Sequence, residues 1–99
     1  MATVLVVGSN PDITRFVTES LRAEGWSAVG AVGPREGLSQ LSRLPEIDAM
    51  VVGGPEAMAA RGRLTARLLQ RHPYARVVVP TSPDQVGQDL LEAFGGEAQ

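Results

Sequence analysis

Three short steps in the chain carry the groups best suited to chemistry: Gly8-Ser9-Asn10, Gly53-Gly54 and Thr81-Ser82, each following an apolar run. A serine or threonine hydroxyl becomes a nucleophile only beside a base that takes its proton. No G-x-S-x-G elbow surrounds Ser9, Thr81 or Ser82. The one histidine, His72, precedes a proline at an expected helix C-terminus, where partial positive charge is favourable. With no second histidine and no cysteine it is not read as a metal ligand. The chain has no lysine, which excludes a Schiff base or a phosphate-binding lysine. No acid, base and nucleophile converge, so the reading is not an enzyme and calls for no cofactor. Backbone N–H groups around Gly8, Ser9 and Asn10 offer a different chemistry, reception of a small anion or metabolite at the end of a strand. The G-x-G-x-x-G spacing of a dinucleotide site is absent.

Charge divides the chain unevenly. Residues 57–83 hold five arginines and no acid, a net +5; the remainder holds four arginines and eleven acids, a net −7. Arg63, Arg67 and Arg71 fall at i, i+4 and i+8, one stripe of an expected helix, and form either a solvated face or a docking face for an acidic partner. No aromatic residue interleaves with them and the whole chain is acidic, so nucleic acid is not the expected partner. Apolar runs of four or five residues fall far short of the ~20 that span a membrane. No charged start with an apolar segment marks a secretory signal. The expected location is cytoplasmic, with no membrane association.

The 99 residues suit a single domain, 1–95, followed by a tail or linker, 96–99. A proline opens each of four expected helices: Asn10-Pro11-Asp12, Gly33-Pro34, Gly54-Pro55-Glu56 and Ser82-Pro83-Asp84. Proline suits the first helical position because its missing N–H has no intrahelical partner there. Asn10 and Ser82 are expected N-caps, and Ser82 with Gln85 fits a capping box. Each helix follows a strand candidate, at 3–7, 27–32, 48–52 and 76–79; their near-continuous apolar character suits a parallel sheet buried on both faces. In the first helix Ile13, Phe16, Val17 and Leu21 form the expected core arc, opposite Arg15, Thr18, Glu19 and Arg22. The second carries Leu38, Leu41 and Leu44; the third, Leu64 and Leu68. The fourth carries Val86, Leu90, Ala93 and Phe94 and is expected to stop at Gly95-Gly96. Trp26 reads as packing rather than recognition. Alternating strands and helices argue for an α/β fold with helices on both faces.

The joints carry a resemblance. "VLVVGSNPDITRFVTESLRAEGW" resembles the first strand and helix, "LPEIDAMVVGGP" the third strand and the loop after it, and "RHPYARVVVPTS" the fourth strand of the receiver domain of bacterial response regulators, and the likeness covers about residues 3–95. The resemblance implies a flavodoxin-like parallel sheet, here with strand order 2-1-3-4 and the fifth strand missing. It also implies a place in two-component signalling. The family's catalytic set is mostly absent. Its acid pair is replaced by Gly8-Ser9 and its phosphoacceptor aspartate by Gly53; its final lysine has no counterpart, and only the hydroxyl of Thr81 keeps its type. The site formed by Gly8, Ser9, Asn10, Gly53, Gly54, Thr81 and Ser82 is therefore vestigial. Mg²⁺ favours carboxylate oxygens, and none is present there.

Without a fifth strand, Val77, Val78 and Val79 form an apolar, β-branched edge with no lysine to guard it. The expected function is that of a non-phosphorylatable receiver-like domain. It works through a protein partner or itself, as a homodimer joined at the fourth strand and fourth helix. A charge at Val78 is expected to block that pairing. The alternative is a small-ligand sensor using the vestigial site.

Overall fold

The computed structural model of the protein describes residues 2–98. Four strands, β1 (Thr3–Gly8), β2 (Ser27–Val32), β3 (Ala49–Val52) and β4 (Arg76–Val78), form one parallel sheet in the order β2-β1-β3-β4. This is the flavodoxin-like order without its fifth strand, and helices cover both faces. The register is fixed by side-chain alternation. Leu5, Val7, Met50 and Val52 face one side, where they meet Leu41, Leu64 and Leu68. Val4, Val6, Ala49, Val51 and Val78 face the other, with Val17, Leu21, Val86 and Leu90. Burying a valine, leucine or methionine side chain fully contributes about 1.5–3 kcal/mol. At the base of the sheet the Asp48 carboxylate accepts from the Thr3 N–H at 2.8 Å, tying the start of β1 to β3.

Helices α1 (Pro11–Ala23) and α5 (Val86–Ala98) share the second face; α2 (Pro34–Arg43), α3 (Pro55–Ala59) and α4 (Arg61–Arg71) lie on the first. Trp26 and Phe94 meet beneath the α1–α5 layer, ring centroids 5.8 Å apart, and the Arg76 guanidinium lies 5.4 Å from the Phe94 ring centre. Trp26 is thus a packing residue.

The core face of α1 differs from the expected arc. Thr14, Val17, Thr18 and Leu21 are buried, while Ile13 and Phe16 are 49% and 52% exposed. The cause is close approach to the sheet. A Cβ on Gly8 or Gly30 would collide with the hydroxyls of Thr14 and Thr18, so the helix settles against glycine and turns its threonines inward. Both buried hydroxyls are satisfied, Thr14 donating to the Asn10 carbonyl and Thr18 to the Thr14 carbonyl, each at 2.7 Å. Hydrophobic periodicity alone favoured Ile13 and Phe16; the glycines opposite decide otherwise.

Other boundaries also shift. The third helix is broken at Ala60 into α3 and α4: Ala60 sits at φ −100° and ψ 8°, and its N–H donates to the Ala57 carbonyl at 3.1 Å, a tighter turn than the α-helix makes. The fourth begins as a 3₁₀ turn, Pro83–Gln85, and no capping box forms: Ser82 Oγ donates instead to the Asp84 carboxylate at 2.8 Å. Helix α5 continues through Gly95-Gly96 to Ala98. Glycine costs a helix about 1 kcal/mol relative to alanine but, unlike proline, forbids nothing sterically. No helix among the described residues is long and apolar enough to cross a membrane.

Candidate functional site

The carboxyl ends of β1, β3 and β4 open into a cleft of about 280 Å³. All seven residues of the vestigial site line it: Gly8, Ser9, Asn10, Gly53, Gly54, Thr81 and Ser82. The loops that carry them are brought together by the sheet order, which sets β1 between β2 and β3 and places β4 beside β3.

Two of these residues have structural work. Asn10 caps α1: its Oδ1 accepts from the N–H groups of Asp12 at 2.9 Å and Ile13 at 3.0 Å. Ser9 caps a different helix. Its Oγ accepts from the N–H groups of Glu56 and Ala57, both at 3.1 Å, and so closes the start of α3 from the β1–α1 loop. Gly54, the residue at the N-cap of α3, has no side chain to do this itself. It adopts φ +86° and ψ 160°, a region open essentially to glycine alone. A Cβ there would also stand 2.5 Å from Ser9 Oγ. Gly54 is therefore required twice, by its backbone angle and by the hydroxyl packed against it.

Gly53 is different. Its N–H donates to the Val7 carbonyl at 3.0 Å, its φ is not positive, and a Cβ would meet nothing within 4 Å. By strand alternation it lies on the same face as Val51. Thr81 is exposed at the mouth. The remaining lining was not legible as a site in the sequence. Val6, Val17, Val51 and Val86 supply apolar walls, Ile13 an exposed flank, and Pro55, Pro80 and Pro83 further apolar surface. Its one available signal was the parity shared by Val51 and Gly53. No charged side chain lines the cleft, and among the described residues no group of three or more acids and histidines is placed to hold a metal ion.

The Ser9 cap carries a direct prediction. Replacing Ser9→Ala leaves two N–H groups of α3 without their acceptor and costs about 1 kcal/mol. Thermal unfolding should therefore move down by roughly 4–8 °C for a domain of this size. An unchanged midpoint would mean that the hydroxyl contributes nothing beyond what water supplies.

The arginine stripe divides. Arg71 Nη1 donates to the Ser42 carbonyl at 2.6 Å, capping the end of α2, so this side chain has a structural partner. Arg63 and Arg67 are exposed, and among the described residues neither makes an ion pair. His72 closes α4, its N–H donating to the Leu68 carbonyl at 2.8 Å.

The two edges of the sheet are unlike. At β2, Arg22 Nε donates to the outward Ala28 carbonyl at 2.9 Å and occupies one edge acceptor. At β4, the Arg76 N–H turns inward to the Asp48 carbonyl at 3.0 Å. The alternation of a parallel ladder then turns the backbone groups of Val77 outward. Val78 is only 8% exposed, with its side chain in the α1–α5 core, whereas Val79 is 41% exposed. The position suited to a blocking charge is thus Val79, not Val78. Comparison with protein-family models, curated proteins and solved structures finds no match for the chain.

Proposed function

We propose that the protein is a receiver-like regulatory domain without phosphorylation chemistry, acting in the cytoplasm through protein–protein contact at β4, with self-association as its basic mode. The observation that carries this reading is the edge of β4: outward backbone groups at Val77, beside an exposed Val79, whereas Arg22 is laid across the opposite edge at β2. Strand addition at such an edge supplies main-chain hydrogen bonds at once, with side chains setting specificity. The strand is short, so α4 and α5 on either side must contribute contact area.

The uncharged cleft supports the first half of the reading. Phosphoryl transfer to a side chain needs an oxygen nucleophile and neutralisation of the transferred charge by metal or cation. The cleft lining contains neither carboxylate nor cation. Incubation with acetyl phosphate and Mg²⁺ should leave the intact mass unchanged; a stoichiometric gain of one phosphoryl group would overturn the reading.

Self-association carries an electrostatic signature. Antiparallel pairing of β4 with its copy places the two-fold axis perpendicular to the sheet, so like faces adjoin. Each α4 then lies on the same face as its copy, and α4 carries four exposed arginines, Arg61, Arg63, Arg67 and Arg71, and no acid. The repulsion between exposed charges is screened within about 3 Å at 1 M salt, against about 10 Å at 0.1 M. Association through β4 should therefore tighten as salt rises.

A further inference from the structure

The cleft at the strand ends has a chemical preference that its position alone does not reveal. At helix N-termini, unpaired N–H groups attract anions. Two of the three helical starts at the cleft are capped: Asn10 Oδ1 holds the N–H groups of Asp12 and Ile13, and Ser9 Oγ holds those of Glu56 and Ala57. The third, Pro83–Gln85, has no side-chain cap but carries the Asp84 carboxylate in its first turn, which disfavours an anion there. No guanidinium or imidazole lines the walls. An anion entering would lose hydration without gaining a countercharge. What remains is carbon: Val6, Val51, Val17 and Val86 within, Ile13 on the flank. Pockets of this composition take ligands by apolar burial, with a few polar groups fixing orientation.

We infer that this cleft binds a small, uncharged, predominantly apolar molecule, of the size of a bicyclic aromatic or a short acyl chain. The size follows from volume. An apolar cavity of about 150 Å³ holds benzene, and this cleft measures about 280 Å³. The hydroxyl of Thr81, exposed at the mouth, is placed to meet one polar group of the ligand. The cleft lies at the carboxyl end of β4 and not along its edge, so binding there does not depend on self-association.

Gly53 supplies the means of testing it. A side chain added there points to the cleft side of the sheet, starts in open space and meets no backbone restriction. Methyl resonances of Val51 and Val86 are followed by NMR while indole, and separately inorganic phosphate, is titrated into the protein. Indole is expected to produce saturable shifts confined to the cleft methyls, and phosphate none. In Gly53→Phe the introduced ring fills the space, and the indole response is expected to fall at least tenfold while the rest of the spectrum stays dispersed. Ile13→Trp, which narrows the cleft from its exposed flank, gives the same test should the Gly53 variant fail to fold. The inference is overturned by indole shifts that rise linearly or scatter over the surface, by phosphate moving the same methyls, or by an indole response that survives in a folded, filled variant.

Discussion

Gly54→Ala should destabilise the domain by about 2–4 kcal/mol, while Gly53→Ala, one residue earlier, should be neutral or slightly stabilising. Two separate costs fall on position 54. A non-glycine residue at φ +86° and ψ 160° is strained by about 1–3 kcal/mol. Its Cβ would also fall 2.5 Å from Ser9 Oγ, displacing the hydroxyl that accepts from Glu56 and Ala57. Losing that cap adds about 1 kcal/mol. At position 53 neither cost applies, and alanine lowers the entropy of the unfolded chain. Thermal melts should place Gly54→Ala roughly 10–20 °C below the parent and Gly53→Ala within a few degrees of it. Equal losses for the two variants would show that the sharp turn after β3, and not the Ser9 contact, governs this loop.

The second large effect separates fold from association by moving one charge along β4. Val78→Lys buries an ammonium in the α1–α5 core, in a cluster with Val51 and Leu90. Lost apolar burial and an uncompensated charge together cost about 3–5 kcal/mol, enough to unfold much of a marginal domain. Val79→Lys places the same charge at a position 41% exposed. There the side chain reaches water, the fold should stay within about 0.5 kcal/mol of the parent, and strand addition is blocked by a solvated charge at the edge. Circular dichroism and size measurement on both variants should therefore give an unfolded chain in one case and a folded monomer in the other.

Much of the architecture was legible because several signals agreed. At each helix start an apolar run was followed by proline, and in the first unit Asn10 added a side-chain cap that the structure contains. The parallel sheet followed from runs such as Val4 to Val7, too continuous for a sheet with one wet face. What failed concerned individual side chains, not the order of the strands. Ile13 and Phe16 fit the apolar period of α1, but Gly8 and Gly30 opposite them admit Thr14 and Thr18 instead. Ser82 and Gln85 have the spacing of a capping box, but the chain begins that element as a 3₁₀ turn. The seven vestigial-site residues were named from the ends of strands, and strand ends converge in this topology by necessity. Their individual work was not legible, because the partners of Ser9 lie forty-seven and forty-eight residues away in the chain.

Self-association at β4 is the claim on which the functional reading rests, and solution mass tests it most directly. Light scattering would follow the 10.5 kDa chain over a concentration series at 0.05 M and 0.5 M salt. A reversible rise to twice the monomer mass is expected, at lower protein concentration in the higher salt, and absent from Val79→Lys. A monomer at every concentration in both salts would contradict it, as would a dimer that Val79→Lys leaves intact.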